Sequence, residues 1–364
     1  MRDGVNQLAP LTEHCKRECR DSCIFVLQWH ITERCNLRCT HCYQGGEVSP
    51  ELDSSNFNTV LDQFAELIDN IRAELGCNVR GMITLTGGEP LVHEDFFALA
   101  REIRRRTFML GVLTNGTLVD ESTAAKLAEL NPYFVQVSID GPREVHDVIR
   151  GEGMFDRACT GLRNLVKVGI RTSMSFTAHS QNFRRFNEVV DVAEELGVDC
   201  VWSDRLIPTG AGAELLAMTS DEVQEYFKIM MDARINHAGR VFVKMERALQ
   251  FQVTGERPYF CTAGKLLLTL LPDGTIYPCR RLPVDVGNVT TTTLSEVFHN
   301  HPLVNDLRSP ETPSGCQKCV HAKLCKGGLR CLTYATTGEL HRGDVDCKLI
   351  DSCEPALIDS GDSK

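Results

Sequence analysis

Cys35-Asn36-Leu37-Arg38-Cys39-Thr40-His41-Cys42 sets three cysteines at Cys-x3-Cys-x2-Cys spacing directly after the apolar run 25–31. Three such thiolates can hold three irons of a cubane [4Fe–4S] cluster and leave the fourth iron open to react, whereas a fully ligated cluster mainly carries electrons. A second element, Thr86-Gly87-Gly88-Glu89-Pro90, also ends an apolar run, residues 81–85. With 17 cysteines in 364 residues the spacing alone is a weak signal, and a structural zinc site is its bland alternative. The position after a strand, the aromatic Tyr43 behind the third cysteine and the Gly-Gly-Glu-Pro element are separate features that strengthen it.

Outward from these motifs, short apolar runs alternate with longer amphipathic ones. Strands are expected at 25–32, 81–86, 109–114, 134–139, 170–177 and 198–206. Helical patterns lie between them, for example 56–75, with Leu61, Phe64, Leu67, Ile68 and Ile71 on one face. Another covers 182–196 and ends at Gly197 as its C-cap. Alternating strands and helices call for a parallel sheet with right-handed crossovers. Six units with chemistry at the strand ends predict an α/β fold, a partial (β/α)6 barrel with its site at the C-terminal edge.

Together these features resemble the radical S-adenosylmethionine (SAM) superfamily, over the whole stretch 25 to about 208. The resemblance implies that Cys35, Cys39 and Cys42 hold a [4Fe–4S] cluster whose open iron chelates the SAM amino and carboxylate groups. It places Gly87, Gly88 and Glu89 on the methionyl amine. Tyr43 and Ser138 are expected at SAM, with Asp140 a weaker candidate, and Arg150 would grip a carboxylate bidentately. The structural reading of these polar residues is a turn or cap, since Thr114-Asn115-Gly116 and Asp140-Gly141-Pro142 are ordinary turn formers. The cofactor would pass one electron to the SAM sulfonium, and the resulting 5′-deoxyadenosyl radical would take a substrate hydrogen. No catalytic side chain is singled out.

Composition sets the frame. Lys+Arg 39 against Asp+Glu 49 gives a net charge of −10, which argues against a nucleic-acid-binding surface. No apolar run approaches the ~18 residues of a membrane span, and the N-terminus lacks a signal-peptide core. A cytoplasmic protein is expected, with no membrane partner, in which so many cysteines read as metal ligands rather than disulfides.

The C-terminal third carries a second cysteine system. Cys261 and Cys279 flank a hairpin pattern at 266–278 turned by Pro272-Asp273-Gly274. Cys316-x2-Cys319-x5-Cys325-x5-Cys331 follows, and then Cys347 and Cys353. A zinc ribbon is the alternative for the Cys-x2-Cys alone. The order and spacing resemble the SPASM domain, a cysteine-rich extension holding two auxiliary iron–sulfur clusters, which makes three clusters in all. By that resemblance Cys261, Cys279 and Cys331 bind the first auxiliary cluster, and Cys316, Cys319, Cys325 and Cys347 the second. The chain departs from the usual pattern, with Leu329 where a cysteine stands and the thiol two residues later. Alternation along an extended segment would keep residues 329 and 331 on one face. The first cluster's fourth ligand is open: absent, Cys353 or a substrate group.

The domains expected are an N-terminal extension, 1–24, the barrel, 25–240, the small cysteine-rich domain, 241–353, and a disordered acidic tail, 354–364. Cys15, Cys19 and Cys23 at i, i+4, i+8 would form a stripe on a helix, packing being favoured over cluster binding. Cys77, Cys159 and Cys200 are expected as buried small apolar residues.

The resemblance implies a maturase that oxidatively modifies a ribosomally made peptide or protein, with a flavodoxin or ferredoxin as electron donor. Residues 1–24 are too few for a fused leader-binding domain, so a separate leader-binding partner is expected if a leader is read. The alternative is side-chain modification of a tetrapyrrole, because Arg205-Leu206-Ile207-Pro208-Thr209-Gly210 resembles the corresponding segment of such enzymes and Arg205 would face a carboxylate. A non-enzymatic iron–sulfur carrier is the third reading, and the intact Gly-Gly-Glu-Pro counts against it.

Overall fold

The computed structural model describes residues 22–44, 49–215, 217–308 and 311–351. Cys15, Cys19, Cys353 and the acidic tail lie outside them. Short apolar runs make the strands. β1 (Ser22–His30), β2 (Asn78–Thr86), β3 (Met109–Thr114), β4 (Phe134–Ser138), β5 (Thr172–Ala178) and β6 (Cys200–Arg205) pair in sequence order, all parallel. This is the expected partial barrel. A short seventh strand, β7 (Phe242–Lys244), continues it parallel to β6, beyond residue 240.

The C-terminal hairpin joins the same sheet. β8 (Leu267–Leu270) runs parallel to β1, and β9 (Thr275–Tyr277) and β10 (Gly287–Asn288) follow antiparallel. Among the described residues the order is β10-β9-β8-β1-β2-β3-β4-β5-β6-β7. The cysteine-rich region is therefore hydrogen-bonded to the strand that launches the first cysteine motif.

Helix Ser54–Leu75 shows how the layers close. Asp53 caps it by accepting from the N–H groups of Ser55 and Asn56, and left-handed Gly76 ends it. The predicted stripe is buried, and Phe64 packs between Phe25 (ring centroids 6.3 Å) and Phe108 (5.1 Å). Each such side chain contributes about 1.5–3 kcal/mol by leaving water. The helix expected at 182–196 begins at Phe186, preceded by a 3-10 turn, and ends at Gly197 as predicted. The Asn182 amide is committed elsewhere, donating to the carbonyls of Asp140 and Thr177 and accepting from the His179 N–H.

Cys23 corrects the helical-stripe expectation. It lies on β1 and is fully buried, because the alternation of residues 22–30 is that of a strand. Cys159 is buried in helix Met154–Lys167, whereas Cys77 and Cys200 are partly exposed. No described helix is long and apolar enough to cross a membrane.

Candidate active site and cluster cavities

Because β1 and β2 are parallel, with His30 opposite Thr86, the loops leaving them emerge side by side. The Gly88 N–H donates to the Thr32 carbonyl (2.8 Å) and the Glu89 N–H to that of Arg34 (2.9 Å), so the glycine turn is laced to the approach of the cysteine loop. A Cβ on Gly87, at φ +155, would stand 2.2 Å from the Thr32 oxygen, and one on Gly88 2.4 Å from the Arg34 oxygen. Only glycine admits this approach. We expect Gly88→Ala to lower stability by about 1–3 kcal/mol, since backbone on both sides must move. Chemical denaturation of the anaerobic protein reads this out, and an unchanged midpoint refutes it.

The strand ends open into a cavity of about 940 Å³ walled by Cys35, Cys39 and Cys42. Burial pushes the Cys35 and Cys39 thiols up, and the Arg150 guanidinium, 3.9 Å from the Cys39 sulfur, works against this. Asn115 donates toward the Cys35 sulfur at 4.0 Å. Gly87, Gly88, Tyr43, Ser138 and Arg150 all line the same cavity. Tyr43 lies under the Arg280 guanidinium at 5.6 Å, and the Ser175 hydroxyl donates to that of Ser138 at 3.3 Å.

Two of the expected residues lie behind the cavity wall. Glu89 is fully buried behind the wall, accepting from the Thr114 hydroxyl (2.8 Å), the Asn115 N–H (2.7 Å) and the Leu91 N–H (3.1 Å). Burial pushes its carboxyl up to about 7 against those donors. Asp140 is also buried away from the cavity. It takes Arg150 Nε (2.5 Å), His41 Nε2 (2.9 Å) and the Thr177 N–H (2.9 Å). Despite burial, Arg150 and His41 hold its carboxyl well below the usual range. Arg150 thus reaches the cavity with part of its charge already balanced.

The opposite wall carries no motif in the sequence. Asp204 receives Arg247 (2.5 and 3.0 Å) and Arg281 (2.8 Å), and Arg247 also donates to the Tyr259 hydroxyl (3.1 Å). Arg280 and Arg281 were findable as neighbours of Cys279, but Arg247 carries no sequence signal. Arg205 lines the cavity, but its guanidinium is already paired with Asp344 and Asp346.

Cys261, Cys279 and Cys331 line this same large cavity. In the segment 329–331 only Leu329 is extended. Leu329 is the N-cap of helix Arg330–Thr337, its carbonyl accepting from Leu332 and Thr333, and Cys331 sits in the first turn. Both residues still reach the cavity. Cys316, Cys319, Cys325 and Cys347 gather around a second, small cavity of about 20 Å³. Burial pushes Cys325 up to about 12, and Gln252 donates toward the Cys347 sulfur at 3.6 Å. No three described His, Cys, Asp or Glu side chains meet at the distances that hold a single ion. The thiols instead surround cavities, the first two sets facing one space, and such all-sulfur donor sets fit iron–sulfur clusters.

A partial parallel barrel with three thiols at its mouth and a thiol-rich annex defines a SAM-dependent iron–sulfur enzyme. The chain belongs to the radical SAM superfamily, matched over residues 29–193, and carries an iron–sulfur cluster-binding SPASM domain, matched over 261–320. It is similar to AdoMet-dependent heme synthase of Methanosarcina barkeri, 28% identical over 347 residues, covering 88% of this chain and 95% of that one. It is similar also to mycofactocin maturase MftC of Mycobacterium tuberculosis, 29% identical over 343 residues, covering 91% and 84%. Its fold is that of Streptococcus suis SuiB bound to precursor peptide SuiA, with a TM-score of 0.72 at 18% identity over 94% of this chain and 79% of that one.

Proposed function

We propose that this enzyme is a maturase that oxidatively modifies a ribosomally made peptide or protein, using three iron–sulfur clusters held by the thiol sets above. The observation that carries the reading is the shared cavity: Cys35, Cys39 and Cys42 face the same space as Cys261, Cys279 and Cys331. A substrate there lies between a site that generates a radical and one that can take an electron. When bound, the first cluster and SAM supply the 5′-deoxyadenosyl radical.

The chain's own residues do the rest. Gly87 and Gly88 let the backbone close on SAM, Tyr43 and Ser138 bound its site, and Arg150, steadied by Asp140 and His41, offers a guanidinium to its carboxylate. Glu89 acts from behind, holding the Thr114-Asn115 turn in place. Gln136, Trp202 and Tyr259 give the substrate region hydrogen-bonding and aromatic surface. The maturase relative supports a peptide, and we place the protein in the cytoplasm, with a flavodoxin or ferredoxin as donor and a separate leader-binding protein as a further partner.

Arg247, Arg280 and Arg281 on the cavity wall favour a second reading, a tetrapyrrole bearing carboxylates, in line with the heme synthase relative. Mass spectrometry after turnover separates the two. Peptides encoded beside the gene should stimulate 5′-deoxyadenosine formation and lose ~2 Da per crosslink, as two hydrogens leave. A sirohaem-type tetrapyrrole would lose ~44 Da per carboxyl released as carbon dioxide where a hydrogen takes its place, or ~46 Da where two hydrogens also leave and a double bond forms. If neither class stimulates cleavage or changes mass, both readings are wrong.

A further inference from the structure

The partition between the two cavities is a buried ion pair. Arg205, at the end of β6 and 4% exposed, lines the large cavity, and Asp344, 1% exposed, lines the small one. They meet bidentately, Nη1 to Oδ1 at 2.8 Å and Nη2 to Oδ2 at 2.7 Å, and Nη1 also donates to Asp346 at 2.5 Å. Asp344 does more than accept from Arg205. Its Oδ2 takes the N–H of Leu329 (2.9 Å), the cap of the helix bearing Cys331, and its carbonyl takes the N–H of Cys347 (2.9 Å). One carboxylate residue thus joins a barrel strand, the Cys331 segment and the Cys347 segment.

We propose that the Arg205–Asp344 pair is a positioning and charge-balancing element for the second auxiliary centre, holding the Cys347 segment against β6 and setting how readily that centre takes up an electron. The proposal rests on the reading that Cys316, Cys319, Cys325 and Cys347 hold an iron–sulfur cluster. Burial of an ion pair is by itself a poor source of stability, because desolvation offsets attraction, so stability alone does not account for this one. Cluster potentials respond to nearby net charge and solvent exposure, and the low local dielectric lengthens the reach of a fixed charge. Arg205 with Asp344 and Asp346 leaves one net negative charge beside the small cavity. Losing the guanidinium leaves two, which oppose electron uptake. Neutralising Asp344 leaves none, which favours uptake. Removing both restores the original balance.

The test is a redox titration, followed by EPR, of the fully reconstituted full-length protein. Arg205→Gln should move the midpoint potential of the second auxiliary centre negative, Asp344→Asn should move it positive, and the double variant should lie between them, near the unaltered protein. A purely structural role has no reason to give opposite signs. Shifts of one sign, or no shift with iron content intact, overturn the proposal. Should Arg205→Gln lose the centre altogether, Arg205→Lys keeps the charge while giving up the paired geometry. It should hold the potential near that of the unaltered protein and lower iron occupancy, and a potential displaced negative with full occupancy overturns the charge argument. If the unaltered protein shows no cluster signal that depends on Cys316, the cluster reading itself falls, and this proposal with it.

Discussion

Replacing Cys35, Cys39 and Cys42 with alanine is expected to abolish the formation of 5′-deoxyadenosine from SAM by the anaerobically reconstituted, dithionite-reduced protein. The three thiols are the ones the β1 loop delivers to the cavity beside the Gly87-Gly88 turn. Neighbouring polar groups are poor substitutes. His41 and Asp140 are tied to each other and to Arg150, and Glu89 faces the Thr114-Asn115 turn behind the wall. Without the thiolates the first cluster would have no anchor, and the protein could not bring an electron to the sulfonium. The loss should be complete to background rather than graded, while the fold persists, because the loop lies at the sheet's edge and the apolar core is untouched. Chromatographic measurement of 5′-deoxyadenosine decides this, with circular dichroism as the check on folding. Undiminished cleavage in the triple variant would sink the assignment of these thiols.

The same triple variant should keep most of its iron and sulfide. Cys316, Cys319, Cys325 and Cys347 surround a cavity of their own, and Cys261, Cys279 and Cys331 reach the large cavity from the C-terminal hairpin and helix. Neither set depends on the β1 loop. About eight irons per chain are expected from two cubanes, or about six if the first auxiliary centre is a [2Fe–2S] cluster. Iron analysis and Mössbauer spectroscopy measure this directly. A preparation carrying zinc and no cluster would refute the auxiliary-cluster reading, because a four-thiolate site of this size is also one that zinc favours.

Local order in the sequence made much of this legible. The parallel barrel followed from strand-length apolar runs alternating with helical stripes, and the stripe of Leu61, Phe64, Leu67, Ile68 and Ile71 is buried as its 3.6-residue period requires. Where local reading failed, a distant partner had intervened. The helix expected at residue 182 starts at Phe186 because the Asn182 side chain serves the Asp140 and Thr177 carbonyls. Cys331 lies in a helical turn, not an extended segment, with the Leu329 N–H held by Asp344, 15 residues away.

Most of the elements and the spacing of the cysteines were legible in the chain alone, because both depend on backbone geometry over a few residues. The chain also determined that the Cys35 loop and the glycine turn share one edge, since parallel strands end on the same side. Which charges meet is settled by packing. Asp204 collects Arg247 and Arg281, and Arg205, at the cavity wall, pairs with Asp344, 139 residues on. Pairing of buried charges is set by which groups are desolvated together, and the burial that compels it exists only once the strands and the cysteine-rich segment have packed.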